Sequence, residues 1–239
     1  MIKIENVETY GWQAAIRGMR NPMNSHDKSD SHLCPCAADC DRDCPMVMND
    51  DEPAKDCDPE KFRVCIGEND FKLMQTLSAA GRDHGKFMRM IHVQCDVTAP
   101  LYWWKEADQY KVGTVTNSCS TMHKIHAKKF TLDDFSHEHL FDSSLCGLEE
   151  IIQKMNFWRS SFIEQSNPET RREDWVSAKE CWWQMIQLLP SSYNQKRTWD
   201  LNYAVLKNIY HARRNHKLDE WNLFCGWIER LPYSELITG

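Results

Sequence analysis

The chain has 239 residues, of which 41% are hydrophobic and ten are Trp, enough for one large or two small domains with a sizeable core. Its formal net charge of −6 argues against a general nucleic-acid surface, where an excess of Lys and Arg is expected. No apolar run has the length of a membrane span and no signal-peptide pattern begins the chain. We therefore expect a cytoplasmic protein without a membrane partner and with reduced thiols.

A cysteine-rich stretch, residues 31–66, holds six of the eleven cysteines together with many Pro and Asp residues. Its few apolar residues show no period, so we predict an irregular insertion outside the core. Closely spaced thiols in a reducing compartment are typical of a structural Zn²⁺ site, whose candidate ligands are Cys34, Cys36, Cys40 and Cys44, with His32, Cys57 and Cys65 as further candidates. The spacing is not a pair of CxxC knuckles, so free thiols are the alternative.

Elsewhere, hydrophobic periodicity predicts a helix-rich chain with a small sheet. Strands are predicted over residues 1–6 and 87–95. Helices are predicted over 11–19, 70–80, 101–110, 148–162, 168–189, 198–211 and 218–231, with a loop over 191–197. The expected helix-capping residues are Asn69 or Asp70, Thr98 ahead of Pro100, and Asn167 ahead of Pro168.

A polar segment follows the predicted helix 101–110. Gly113 opens it, and its hydroxyl and amide side chains belong to Thr114, Thr116, Asn117, Ser118, Ser120 and Thr121. Lys111, His123 and Lys124 flank these residues. Many donors beside cations predict a cradle for a phosphorylated small molecule, and a solvent-exposed connection is the alternative.

A second polar group is expected on the predicted helix 198–211 and just beyond it. Asn202, Asn208 and Arg213 are spaced at i, i+6 and i+11, which predicts roughly one side of a helix, and His216 follows. Two amides, a guanidinium and an imidazole can bind a planar heterocycle through fixed donors and acceptors. The alternative is a polar helix face in contact with solvent.

These residues, preceded by Leu189-Pro190, resemble a motif of the flavin-dependent thymidylate synthases. The likeness extends in weaker form over most of the chain outside the cysteine-rich stretch. It implies that Asn202, Asn208 and His216 lie near the flavin and that Arg213 contacts the uracil of the substrate, as the catalytic residue.

The polar segment is similar to the family motif RHR-x₂-S-x-N-E-x-S-x-R, which follows an early His, here His84. Gln109-Tyr110-Lys111 matches RHR, Thr114 the first Ser, Asn117 the Asn after a slip of one residue, Ser118 the Glu and Ser120 the later Ser. The resemblance implies cofactor binding by His84, Lys111, Thr114 and Asn117, and substrate binding by Gln109, Ser118, Ser120 and Lys124.

The motif also departs from the family. Only Lys111 supplies a cation in the triplet, and Lys does not replace a bidentate Arg. The last Arg of the motif falls on Met122, where His123 or Lys124 could reach the same phosphate, and an Arg expected before Leu189-Pro190 falls near Ile186 or Gln187. Binding is expected to survive such changes more readily than catalysis.

The resemblance further implies a helix-rich α/β (α+β) fold in which a single domain, residues 1–239, surrounds a small twisted antiparallel sheet. The implied reaction methylates dUMP to dTMP, or transfers a related one-carbon group to C5, using FAD, NADPH and methylenetetrahydrofolate in a homotetramer with flavin sites between subunits. Two alternatives stay open: a nucleotide-binding relative without turnover, and an interaction protein organised by a metal-bound cysteine segment.

Overall fold

A computed structural model of the chain describes residues 2–33 and 64–239. The strands are β1 (Lys3–Tyr10), β2 (His32–Leu33), β3 (Val64–Cys65), β4 (His92–Pro100), β5 (Val115–Ser118) and β6 (Asn194–Asn202). The helices are α1 (Trp12–Arg20), α2 (Glu68–Ala79), α3 (Leu101–Ala107), α4 (Thr121–Lys124), α5 (Asp142–Ser166), α6 (Ala178–Leu188), α7 (Tyr203–Arg213), α8 (Asp219–Ile228) and α9 (Glu235–Thr238).

Four strands form a small antiparallel sheet in the order β1-β4-β6-β5, and β2 pairs with β3 in a separate ladder. The prediction of a helix-rich chain around a small antiparallel sheet is confirmed. Among the described residues, no helix is both long and apolar enough to span a bilayer.

The central strand β4 starts later and ends later than predicted. Residues Gly85–Met90 form a 3₁₀ helix, in which Phe87 and Met88 are both buried, whereas consecutive residues of a strand point to opposite faces. Beyond it the predicted alternation holds, since Val93 and Cys95 are buried on one face. The strand continues through Pro100, so the predicted cap Thr98 is wrong, and α3 ends at Ala107 instead of at residue 110.

The cap of α2 comes from a distant residue. The Asp30 carboxylate accepts hydrogen bonds from the backbone amides of Asn69, at 2.9 Å, and Asp70, at 3.1 Å. Asn69 and Asp70 lie inside the first turn, so their assignment as caps is wrong. Gly81 ends the helix as predicted, with a φ of 99° that suits glycine.

The start of α6 is also corrected. The Asn167 side chain accepts from the Glu169 amide, at 3.0 Å, within a turn, so the helix does not begin at residue 168. Ser177 caps α6 instead, because its hydroxyl accepts from the Glu180 amide while the Glu180 carboxylate accepts from the Ser177 amide.

The largest error concerns β6. Residues 194–197 of the predicted loop and residues 198–202 of the predicted helix form this strand, and α7 begins only at Tyr203. Asn202 ends the strand and caps α7, since its side-chain oxygen accepts from the Val205 amide at 3.0 Å. Asn202 is therefore not inside the helix.

The described chain divides into two compact units. The first unit comprises Val97–Gln109, Asn117–Thr198 and the N-terminal residues through Lys3. Its core packs α5 and α6 around seven buried side chains, namely Ile125, Phe130, Phe135, Leu148, Ile152, Met155 and Met185.

The second unit comprises the described part of Ile4–Asp96 together with Tyr110–Thr116 and Trp199–Gly239. In it α1, α2 and α7 all contact the 3₁₀ helix Gly85–Met90, and α7 also contacts α8 and α9. The single-domain organisation expected for residues 1–239 stays a prediction.

The cysteine-rich stretch has regular structure at both described ends. In the β2–β3 ladder His32 lies opposite Cys65, and Leu33 lies opposite Val64. Next to the ladder, the Ser31 hydroxyl accepts from the Gly67 amide at 3.0 Å, and Ile66 is buried. The predicted zinc ligands Cys34, Cys36, Cys40 and Cys44 lie outside the described residues.

We expect that residues 34–63 can be replaced by Asn-Gly without loss of the fold. An antiparallel ladder of this register can be closed by a two-residue turn with positive φ angles, which Asn-Gly favours. The measurement is a thermal melt by circular dichroism. A control variant keeps the full length and replaces the cysteines of this segment with Ser. A cooperative melt in the control but not in the deletion would show that residues 34–63 belong to the core.

Candidate functional site

A tight turn, Tyr110–Gly113, precedes the polar segment in the second unit. Gly113 has a φ of 75°, and a Cβ at this position would lie only 2.7 Å from the Asn202 side-chain nitrogen. That nitrogen donates to the Gly113 carbonyl at 3.1 Å, and the Thr114 hydroxyl donates to the Tyr110 carbonyl at 2.6 Å. Asn202 is buried, and its amide ties the turn to the first turn of α7.

Arg213 is the last residue of α7, and its side chain is held against two aromatic rings. Its Nε donates to the Tyr110 hydroxyl at 2.9 Å. The guanidinium carbon lies 5.0 Å from the centre of the Trp221 ring and 5.7 Å from that of Tyr110, both within the range of cation–π attraction. Since the two rings meet edge to face, they fix the plane and position of the guanidinium.

His216 lies beside the same tryptophan. Its ring centre is 6.4 Å from that of Trp221, and its Nδ1 accepts a hydrogen bond from the Leu218 amide at 3.2 Å. An accepting Nδ1 places the proton of the neutral ring on Nε2. In the second unit, Asn202 contacts Gly113, Arg213 contacts Tyr110 and Trp221, and His216 contacts Trp221.

Asn208 does not share a helix face with Asn202 and Arg213. Within α7, Asn208 and Arg213 are five residues apart, which places them about 140° apart at 100° per residue, and Asn202 precedes the helix. Asn208 is exposed, Asn202 is buried and Arg213 is half-buried, so the predicted shared face is wrong for Asn208. His84, before the 3₁₀ helix, and Lys111, on the turn, are both exposed.

The remaining predicted residues lie in the first unit, on exposed positions. Asn117 and Ser118 end β5, which is a strand where a loop was predicted. The Ser120 hydroxyl accepts from the His123 amide at 3.1 Å and so caps α4, whose last residue is Lys124. Gln109 follows α3 and is also exposed. The predicted site residues thus form two groups, one in each unit.

The sequence analysis missed Gln195, which contacts the polar segment within the first unit, and Arg197, which contacts Gln195. The Gln195 side-chain nitrogen donates to the Cys119 carbonyl at 2.8 Å, and Arg197 contacts Gln195. Both residues lie on β6, in the range predicted as a loop. The signal that could have found them is the period-2 spacing of Gln195, Trp199 and Leu201, which are all buried.

Metal binding by the described residues is not indicated. Among residues 2–33 and 64–239, no group of three or more His, Cys, Asp or Glu side chains could hold a metal ion. The zinc site predicted from the cysteine-rich stretch stays a prediction, which metal analysis of the purified protein would test.

Comparison with known proteins identifies the fold. No family model matches the chain, and no curated protein sequence matches it. Thymidylate synthase X (ThyX) of Helicobacter pylori, crystallised with FAD and dUMP, has a similar structure, with a TM-score of 0.57 over 100% of this chain and 97% of that chain at 12% identity. A second crystal structure of that enzyme with FAD and dUMP gives the same TM-score and identity over 99% and 97%.

The UMP/dUMP methylase PolB of Streptomyces cacaoi, bound to 5-Br dUMP, is also similar. Its TM-score is 0.54 at 11% identity, over 98% of this chain and 93% of that chain. At these identities the likeness shows a shared fold. The fold expected from the sequence motifs is therefore confirmed over nearly the full length of the chain.

Proposed function

We propose that this protein is a flavin-dependent enzyme that methylates, or adds a related one-carbon group to, C5 of a pyrimidine deoxynucleotide, with dUMP as the first substrate to test. The full-length fold likeness to two enzymes crystallised with dUMP or its bromo analogue supports this proposal. So do the motif residues that lie together in the second unit.

The observation that carries the proposal is the position of Arg213. A guanidinium presents five N–H donors in a fixed fork, a geometry that suits a ring carbonyl, and in Arg213 this fork is oriented by the bond from Nε to the Tyr110 hydroxyl. The Trp221 and Tyr110 rings hold it in place before the substrate arrives, which lowers the entropy lost on binding. In the reaction, Arg213 would orient the pyrimidine ring and stabilise negative charge on its carbonyl oxygen.

Lys111, an exposed cation on the turn, fits the phosphate groups of a flavin dinucleotide. The Thr114 hydroxyl donates to the Tyr110 carbonyl and so holds the same turn. FAD, when bound, supplies the hydride-transfer chemistry, while the protein orients the reactants. We propose that Asn202 acts by holding the turn, because its oxygen and nitrogen both bond within the protein. NADPH and methylenetetrahydrofolate are the proposed co-substrates.

A nucleotide-binding protein without turnover is the second candidate. It is favoured by the replaced triplet Gln109-Tyr110-Lys111, in which the Tyr110 hydroxyl accepts from Arg213 and so serves to hold that side chain. This candidate predicts nucleotide binding without formation of a methylated product.

The test is an absorbance spectrum of the purified protein before and after addition of FAD and dUMP, followed by a turnover assay. We expect the absorption of bound oxidised flavin and a change in its shape with dUMP. Lys111→Ala should weaken flavin binding, whereas the exposed Lys129→Ala should not. A colourless protein that binds no FAD would contradict the proposal of a flavin-dependent enzyme. Binding of dUMP without formation of a methylated product would favour the second candidate.

The assembly and location are proposals of the same kind. We propose a cytoplasmic homotetramer in which flavin sites lie between subunits. Light scattering should give a mass four times that of the chain at micromolar concentration, and a monomeric mass would contradict shared sites.

A further inference from the structure

Gln195, on β6, is buried and commits three polar atoms to neighbours within the first unit. Its backbone carbonyl accepts from the Trp104 indole nitrogen at 3.0 Å, and its side-chain oxygen accepts from Arg197 Nε at 3.1 Å. Its side-chain nitrogen donates to the Cys119 carbonyl at 2.8 Å. The Cys119 amide in turn donates to the Lys196 carbonyl at 2.9 Å. Both polar backbone groups of Cys119 are therefore attached to β6.

Arg197 determines which way the Gln195 amide points. An arginine Nε–H can only donate, so it selects the oxygen of that amide and directs the nitrogen toward the Cys119 carbonyl. Arg197 is itself held firmly, because its guanidinium carbon lies 4.2 Å from the centre of the Trp104 ring. Its Nη1 also donates to Asp108 at 2.7 Å, and its side chain is only 13% exposed.

Cys119 lies between two of the predicted substrate-binding residues, Ser118 and Ser120. The hydroxyl of Ser120 caps α4, so the backbone at Cys119 determines where both the hydroxyls and the start of α4 lie. Because the buried Gln195 amide bonds to the Cys119 carbonyl, it fixes the position of this exposed peptide. It does not occupy the hydroxyls of Ser118 and Ser120, which can therefore donate to a ligand.

We propose that Gln195 and Arg197 are positioning residues for the nucleotide: Arg197 orients the Gln195 amide, and Gln195 holds the Cys119 peptide so that Ser118 and Ser120 face the nucleotide's phosphate. This inference rests on the proposed function, in which the polar segment binds a pyrimidine nucleotide. The motif of the flavin-dependent thymidylate synthases assigns no role to either residue.

The decisive variant is Gln195→Glu, which preserves size and the acceptor for Arg197 but removes the donor to the Cys119 carbonyl. We expect the affinity for dUMP, measured by calorimetric titration, to fall roughly fivefold to tenfold, as for loss of one buried hydrogen bond. Arg197→Lys should give a loss in the same direction, because a lysine ammonium has no Nε fork to orient the amide.

The chain contains a matched control for Arg197. Arg172 also lies over a tryptophan, with its guanidinium carbon 5.5 Å from the Trp175 ring centre, and pairs with Asp174 at 3.7 Å. It is 55% exposed, and both partners of its guanidinium, Asp174 and Trp175, lie outside the polar segment. Arg172→Lys should leave the affinity for dUMP unchanged, which separates a specific position from a general loss of arginine–tryptophan contact.

A second readout reports on the Cys119 peptide without any nucleotide. Cys119 and Cys146 are both exposed, so their alkylation rates can be compared in one sample by mass spectrometry. Gln195→Glu and Arg197→Lys should raise the rate at Cys119 several-fold and leave that at Cys146 unchanged. In the unmodified protein, dUMP should slow alkylation at Cys119 only.

The outcomes are distinct. Faster Cys119 alkylation together with weaker dUMP binding supports the inference, and an unchanged Cys119 rate in both variants overturns it. Faster alkylation with unaltered dUMP affinity also overturns it, because the segment then does not position the nucleotide. If the unmodified protein binds no dUMP, the proposed function fails and this inference fails with it, while the alkylation rates still report whether β6 holds Cys119.

Discussion

Arg213→Ala is expected to weaken binding of dUMP by roughly 10- to 100-fold. A charge-assisted hydrogen bond contributes about 1.5–3 kcal/mol, and about 1.4 kcal/mol corresponds to a tenfold change in affinity. Tyr110 and Trp221 hold the Arg213 guanidinium, so the guanidinium is already positioned before the substrate binds. Calorimetric titration with dUMP measures the effect.

Arg214→Ala is the matched control. Arg214 is exposed, follows Arg213 directly, and lies with its guanidinium carbon 5.9 Å from the Tyr210 ring, so the two variants remove the same charge from neighbouring positions. We expect little change in affinity for Arg214→Ala. Equal losses in the two variants would indicate general electrostatics, and unaltered binding by Arg213→Ala would remove the main support for the nucleotide-binding proposal.

Asp70→Asn is expected to lower the free energy of unfolding by about 3–5 kcal/mol, the cost of leaving a buried charge without its partner. The Asp70 carboxylate is fully buried and accepts from Arg20 Nε at 2.6 Å. It also accepts from the hydroxyls of Ser29, just before the cysteine-rich stretch, and Ser31, at its start, each at 2.6 Å. An asparagine cannot compensate the Arg20 charge. Denaturant unfolding measures the loss.

The control lies on the same helix. Glu68 and Lys72 form an ion pair at 2.6 Å whose side chains are 78% and 68% exposed. Because water screens exposed pairs, Glu68→Gln should leave the unfolding midpoint unchanged. A comparable loss in the two variants would contradict a special role for the buried pair of Arg20 and Asp70.

Asp70 also determines how the stability of the fold depends on pH. Burial alone would raise the pKa of Asp70, but the hydrogen bonds from Ser29, Ser31 and Arg20 outweigh it and lower the pKa below its ordinary value. Because the pKa of Asp70 is lower in the folded state, this carboxylate stabilises the fold at pH values above the ordinary pKa of Asp, which is about 4. The stabilisation is lost as the pH falls through the folded-state pKa. Asp70→Asn should therefore flatten the decline in stability below about pH 4.

Local pattern identified most of the helices. Helix α1 begins and ends within one residue of its prediction over 11–19, because Trp12, Ala15, Ile16 and Met19 form one buried stripe. Asn202 and Arg213 hold the same turn for a reason other than the predicted helix spacing. Asn202 caps α7 from outside the helix, and the two side chains hold the turn Tyr110–Gly113.

Strand β6 shows where local pattern fails. Gln195 is a polar residue, so the sequence predicts an exposed loop at its position. A buried amide is stable only when its hydrogen bonds are satisfied. The partners that satisfy Gln195, Cys119 and Arg197, are known only from the tertiary structure. The cap of α2 was also predicted wrongly because the residue that supplies it is distant in the sequence. Asp30 reaches the helix from a distant part of the chain, which frees Asp70 to pair with Arg20.

The sequence by itself determined the helix-rich character, the small sheet and the motif residues that led to the nucleotide proposal, because these depend on residue type and short-range spacing. Only the tertiary structure decided which of those residues meet. It joined Asn202 to Gly113, Arg213 to Tyr110 and Trp221, and His216 to Trp221. It also left Asn208 exposed and brought Gln195 to Cys119. The physical reason is that a buried polar side chain is positioned by partners far away in the sequence, and no local period encodes them.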